Sequence, residues 1–245
     1  PKEIEGGRQE YRSRLAEGHM HNTTVGVLCE KGRKKGLDVF PNQDNYFVSF
    51  HKTCSVYGVF DGHGPWGHIV SCRLVQAFPH FLFAHPEMQQ IFAERENADA
   101  ETLNPLDNDR VEKIINDVFH QTQEDLRSWA KGDPNLDDDD FGRHKIDCSV
   151  SGSTGSVLVQ IGCDVYIATI GDSKIVLAQW TRVKDNSTID RILAESGNHN
   201  PNDEEEKARI EAGGLYEVRD DRIYLVGKGI PGVAMSENTL YGQRR

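Results

Sequence analysis

Apolar residues recur along this chain at two periods, and the switches between them outline its elements. Thr24–Cys29 reads as a strand, and Asn45–Phe50 and Cys54–Phe60 are rich in the β-branched and aromatic residues that strands favour. The second of these runs stops at Asp61-Gly62-His63-Gly64. A helix is expected from near Trp66, because Ile69, Val70, Leu74, Val75, Phe78 and Leu82 recur on one helical face, with Pro79 weakening its far end. Residues 84–110 read as surface loop or frayed helix. Residues 111–130 carry the clearest helical period: Val111, Ile114, Ile115, Val118, Phe119, Leu126 and Trp129. Past an acidic stretch at 133–142, the pattern changes to short strands at Ser156–Ile161, Val165–Ile170 and Lys174–Gln179. The gaps Gly162-Cys163-Asp164 and Gly171-Asp172-Ser173 are hairpin signals, so an antiparallel meander is expected. Asn202-Asp203 caps a helix running to Gly213-Gly214, and Gly214–Val218 and Arg222–Val226 form a last strand pair.

Most of these strands are joined by short turns, whereas parallel neighbours need long crossovers. Antiparallel sheet is therefore favoured, and two long helices in one block suit the covering of one sheet face. The fold class expected is α+β.

Composition narrows the function. The chain has 245 residues and a formal net charge of −11. Such an acidic balance argues against a nucleic-acid groove, which gains affinity by neutralising phosphates with basic side chains. Hydrophobic residues make up 37%, enough to build a core. No run approaches the roughly 18 apolar residues of a membrane span. Residues 1–23 are polar and read as an extended lead-in without the apolar segment of a leader peptide. The five cysteines (Cys29, Cys54, Cys72, Cys148, Cys163) are odd in number and form no Cys-x-x-Cys, so they read as reduced, and a cytoplasmic or nuclear location is expected.

The densest polar constellation is Asp61-Gly62-His63-Gly64-Pro65-Trp66-Gly67-His68, placed directly after an apolar strand. An Asp there sits at a sheet rim, Gly62 lets the backbone turn and leaves its carbonyl approachable, and His63 can exchange a proton near neutral pH. Asp-Gly as a plain turn is the alternative. Asn42-Gln43-Asp44 precedes the neighbouring strand, and the 16 residues between Asp44 and Asp61 suit a hairpin that would set the two side by side. Two convergent carboxylates and a backbone carbonyl make an oxygen-only site suited to Mg²⁺ or Mn²⁺; Asp44 as a turn cap is the competing reading. Arg33, Lys34 and Lys35 lie just upstream, as a phosphate-facing group or as a solvated basic loop.

Other chemistries fit poorly. Gly62–Gly67 matches Gly-x-Gly-x-x-Gly, but no parallel strand follows the helix, as the dinucleotide fold requires. The acidic stretch at 133–142 fails as an EF-hand, since Asp138 stands where Gly is needed. No zinc spacing and no nucleophile elbow occur.

Together the motifs resemble the metal-dependent (type 2C) protein serine/threonine phosphatase family. The resemblance rests on six blocks in family order: Asn42-Gln43-Asp44-Asn45; Val59-Phe60-Asp61-Gly62-His63-Gly64; Asp147 to Thr154; Tyr166 to Ser173; His199-Asn200-Pro201 with Glu206 to Gly214; and Pro231 to Ser236. It implies two antiparallel sheets in a sandwich flanked by helices, with a two-metal centre at one edge. It further implies that Asp44, Asp61 and the Gly62 carbonyl hold Mg²⁺ or Mn²⁺, and that a metal-activated water hydrolyses phosphoserine or phosphothreonine in a protein substrate. His63 would protonate the leaving oxygen, Arg33 (or Lys34 or Lys35) would hold the phosphoryl group, and Asp147 would touch a third metal. A monomer is implied as well.

Some positions depart from that pattern. Gln43 stands where many members have Glu, Glu237 follows Ser236 where Arg is usual, and Gly242-Gln243 replaces Gly-Asp. The later Ser-Asp-Gly and Asp-Asn motifs do not occur by Arg245, so residues 24–245 are expected to be a C-terminally incomplete catalytic domain. A catalytically degenerate relative that binds a phosphoprotein or a kinase without turnover is the alternative.

Overall fold

A computed structural model of the chain describes residues 3–4, 8–12, 24–32, 41–51, 53–97, 105–131, 146–148, 150–183, 186–219 and 222–226. Its N-terminal strands are β1 (Glu3–Ile4), β2 (Arg8–Arg12), β3 (Thr24–Leu28), β4 (Asp44–His51) and β5 (Cys54–His63). Three helices follow: α1 (Gly67–Ala84), α2 (Pro86–Asn97) and α3 (Asn108–Ala130). Then come β6 (Gly152–Ser153), β7 (Gly155–Ile161), β8 (Asp164–Ile170), β9 (Val176–Val183) and β10 (Asn186–Glu195). The helix α4 (Glu204–Glu211) and the strands β11 (Tyr216–Arg219) and β12 (Arg222–Leu225) complete the order.

The main sheet has the order β4-β5-β7-β8, with β6 also on β5, and every pairing in it is antiparallel. The other strands form separate antiparallel ladders: β1-β2-β3, β9-β10 and β11-β12. The α+β expectation holds. Residues 1–23, read as an extended lead-in, supply β1 and β2, and β2 pairs with β3 from Arg8↔Leu28 to Arg12↔Thr24.

Alternation on the strands decides which face carries the helices. Cys54, Val56, Gly58, Phe60 and Gly62 are buried on one face of β5, with Val157, Val159 and Ile161 beside them on β7. Against that face pack Val70, Leu74, Phe78 and Leu82 of α1 and Val111, Ile114, Val118 and Phe119 of α3. Phe47 lies opposite Gly58, and a Cβ on Gly58 would stand 2.2 Å from the Phe47 ring, so the glycine makes room for the aromatic. The Phe47, Phe60 and Phe119 rings surround Phe78, with Phe78 edge-on to Phe119 at 4.9 Å between centroids. Burying a ring of this size contributes about 3 kcal/mol relative to exposure. Arg73 of α1 grips Asp125 of α3 through two bonds of 2.8 and 2.6 Å, and its guanidinium lies 5.7 Å from the Trp129 ring.

Several sequence expectations are corrected. Pro79 does not weaken the end of α1, which continues to Ala84; buried Phe78 and Leu82 on either side hold the turn together. Residues 84–110 contain α2, whose Met88, Ile91 and Phe92 are all buried. Trp129, counted on the buried face of α3, is 40% exposed. The expected three-strand meander breaks after its second strand. Gly171 turns the chain with φ +90°, and β9 pairs with β10, for which the sequence pattern offered no strand. No described helix is long and apolar enough to cross a membrane. The acidic stretch at 133–142, the block from Pro231 onward and Arg33, Lys34 and Lys35 lie outside the described residues.

Candidate active site

Asp44 is the first residue of β4, and Asp61 lies near the end of β5. The ladder between these strands pairs them directly, Asp44↔Asp61, at the end opposite the hairpin. Directly opposed residues of an antiparallel pair place their side chains on the same face, with Cβ atoms roughly 5 Å apart. Because Phe60 faces the helices, Asp61 and its partner Asp44 project from the other face, and both are exposed. The juxtaposition expected from the 16-residue spacing is therefore present.

The turn after Asp61 is fastened to three other segments. The Gln43 carbonyl accepts the Gly62 N–H at 3.0 Å and the Ser71 hydroxyl at 2.6 Å, while the Gln43 side-chain amide donates to the Gly64 carbonyl at 2.6 Å. Asn45 donates to the same Ser71 oxygen at 2.8 Å. The buried Ser151 hydroxyl accepts the Trp66 N–H at 3.0 Å, just before α1. Space is tight enough to require glycine: a Cβ on Gly62 would lie 2.2 Å from the Gly67 carbonyl oxygen, and Gly64 has φ +83°. On the other side of Asp44, the Cys29 thiol donates to the Asp44 carbonyl at 3.5 Å, and Asn42 donates to the Cys29 sulfur at 3.1 Å.

His63 ends β5 opposite Gly152 of β6. Burial holds its imidazole below the ordinary value; a bond to the Asp61 backbone and the carboxylate of Asp172 act the other way. Asp172 belongs to the turn after β8, and its approach to His63 was not part of the sequence expectation. Asp147 precedes β6, is exposed, and accepts the Val150 N–H on its carbonyl at 3.2 Å. Among the described residues no three His, Cys, Asp or Glu side chains gather at metal-binding spacing, so Asp147 does not join Asp44 and Asp61 in one cluster.

Sequence reasoning gives Gln43, Ser151 and Thr154 a place in the motif blocks but no bonding role at the rim, and Ser71, ten residues beyond Asp61 on α1, carries no signal there.

A family model described as Protein phosphatase 2C matches residues 78–228, beginning beyond the Asp44–Asp61 rim. Probable protein phosphatase 2C 73 of Arabidopsis thaliana is 32% identical over 228 residues, covering 88% of this chain and 55% of that protein. Probable protein phosphatase 2C 33 of Arabidopsis thaliana is 27% identical over 248 residues, covering 88% of this chain and 49% of that protein. The chain thus spans about half the length of these curated relatives. Among solved structures, serine-threonine phosphatase 2C from Toxoplasma gondii superposes with a TM-score of 0.55 at 16% identity, over 76% of this chain and 55% of that one, a likeness of fold.

Proposed function

Because this chain belongs to the protein phosphatase 2C family, we propose that residues 24–245 form part of a catalytic domain that hydrolyses phosphoserine and phosphothreonine in proteins with Mg²⁺ or Mn²⁺. The observation that carries this reading is the Asp44↔Asp61 pair at the open rim of the sheet. Two exposed carboxylates held side by side repel unless a cation lies between them, and an all-oxygen donor set suits a hard divalent ion. The residues fit such a group, with Asp44, Asp61 and the Gly62 carbonyl as its holders and Asp147 as holder of a further one. When bound, the metal would neutralise phosphoryl charge and lower the pKa of the attacking water.

The chain's own residues do the rest. Gln43 and Ser71 keep the Asp61 turn against the start of β4. His63, beside Asp61, is the general acid that protonates the departing Ser or Thr oxygen. Its burial makes it a ready donor once charged, and Asp172 favours the charged form. Arg33, with Lys34 or Lys35 as substitutes, binds the phosphoryl oxygens. We further assign a monomeric, cytoplasmic or nuclear protein whose partner is the phosphorylated substrate.

The test is phosphate release from a phosphothreonine peptide in Mn²⁺. Chelator should abolish it, and Asp61→Asn should lower it by about 100-fold or more, the upper range of losses seen when groups merely supporting a metal ligand are removed. Full activity in chelator overturns the proposal. Absence of turnover together with absence of tight Mn²⁺ binding by calorimetry would replace it with the non-catalytic, phosphoprotein-binding reading, whereas tight binding at two sites argues against that reading.

A further inference from the structure

One register runs through β6 and β7 along β5: Gly62 pairs with Ser153, and Val59 with Ser156. Thr154 therefore stands opposite Asp61, in a row that reads Asp44, Asp61, Thr154 across three strands. The rung between Asp61 and Thr154 is unusual. The Thr154 N–H donates to the Asp61 carbonyl at 2.9 Å, as a ladder bond should. The Asp61 N–H, however, donates to the Thr154 hydroxyl at 3.1 Å rather than to the Thr154 carbonyl. That carbonyl accepts the Ser153 hydroxyl at 2.8 Å instead. A side-chain oxygen has replaced a main-chain one, which is why β6 and β7 are separated at this residue.

The same hydroxyl continues outward. It shares a hydrogen with Ser173 across 2.7 Å between oxygens. Since it already accepts from Asp61, its own proton is free to go to Ser173, and the Ser173 carbonyl is in turn held by Ser156 at 3.0 Å. The Thr154 methyl is also confined: a Cβ on Gly171 would lie 2.7 Å from it. Thr154 itself is only 8% exposed. Its geometry is thus fixed from the Asp61 side by two bonds and from the 171–173 turn by a bond and a packing contact.

We infer that Thr154 is a positioning residue for Asp61, its hydroxyl setting the carboxylate's backbone at the rim and tethering it to Ser173. The inference rests on the reading of Asp61 as a metal holder, and the experiment separates the two. The variants are Thr154→Val, which keeps the shape and removes the hydroxyl; Thr154→Ser, which restores it; and Ser173→Ala, which cuts only the tether. Three quantities are read on the purified protein: Mn²⁺ affinity by calorimetry, exchange of the Asp61 amide hydrogen, and the melting temperature.

Thr154→Val should weaken Mn²⁺ binding by about 10-fold or more, in line with losses of groups that orient metal ligands. It should also speed Asp61 amide exchange, and Thr154→Ser should recover most of both. Ser173→Ala should lower Mn²⁺ affinity with little change in melting temperature, and it decides the matter if Thr154→Val does not fold. Wild-type Mn²⁺ affinity in Thr154→Val, or in Ser173→Ala when the valine variant is lost, overturns the inference. Unchanged Asp61 exchange in Thr154→Val overturns it also. If the wild-type protein binds no Mn²⁺, the metal reading fails, while the exchange of the Asp61 amide still decides whether Thr154 holds that backbone.

Discussion

The side-chain amide of Gln43 donates to the main-chain carbonyl of Gly64 across 2.6 Å, bridging the start of one sheet strand and the turn that follows the next. The group facing the Gln43 amide is thus an acceptor. Gln43→Glu would set a carboxylate against a carbonyl oxygen and remove the donor. The expected cost is about 1–3 kcal/mol, the penalty for a partly buried polar group without a partner. A lowered melting temperature at pH 7, partly recovered in acid where a protonated Glu can donate, is the outcome to measure.

Gly64 has φ +83°, and a Cβ there would lie 2.1 Å from the Val150 carbonyl oxygen. Gly64→Ala meets both a left-handed backbone and a main-chain obstruction that no side-chain rotation can relieve. A destabilisation of about 2 kcal/mol or more is expected, within the range for residues forced into such conformations. Urea denaturation compared with wild type checks it; an unchanged midpoint would contradict the turn geometry.

Burial holds the His63 imidazole below its ordinary 6.5, and the Asp172 carboxylate counters this. Asp172→Asn should therefore lower the His63 titration further, measured in the metal-free protein by NMR. The linked effect on stability has a definite sign. Near and below pH 6.5 the unfolded chain binds a proton at this histidine that the folded chain resists. Stability from this group is complete above pH 6.5 and falls as pH drops through the folded value.

Cys54 is fully buried, and loss of solvation pushes its thiol up to about 12. Cys72 and Cys163 are exposed. Maleimide at pH 8 should label those two rapidly and Cys54 only on unfolding, since thiolate character and access both govern reactivity. Between about pH 9 and 12 the unfolded thiol releases a proton that the folded one keeps, so stability should decline across that window. Peptide mapping and alkaline melts read the two effects.

The parts of the fold that depend on neighbours in sequence were legible. Sixteen residues rich in β-branched and aromatic side chains between Asp44 and Asp61 could close a hairpin, and the register sets the two aspartates opposite each other. Asp203 caps α4 by accepting from Glu205 and Glu206, as its place before an acidic first turn suggested. The helix α2 was passed over because its core face consists of only Met88, Ile91 and Phe92 among polar residues; Pro86 at its first position, a favoured place for proline, was the available sign. What sequence could not supply was strand order. Thr154 lies opposite Asp61 only because β7, not β3, is the second neighbour of β5. That adjacency, with β8 following on β7, also brings Asp172 towards His63. The departure of β9 from the main sheet was hidden for the same reason, since Gly-Asp-Ser can close a hairpin or turn a strand away.

Hydroxyls from Ser71, Ser151 and Thr154 fasten the Asp44–Asp61 rim, and at Thr154 the hydroxyl stands in for a main-chain rung. Fastenings of that kind can be edited one atom at a time: Thr to Ser, or Ser to Ala, without moving a strand. The spacing of the paired acids is thereby open to fine adjustment by substitutions that leave every strand and helix in place.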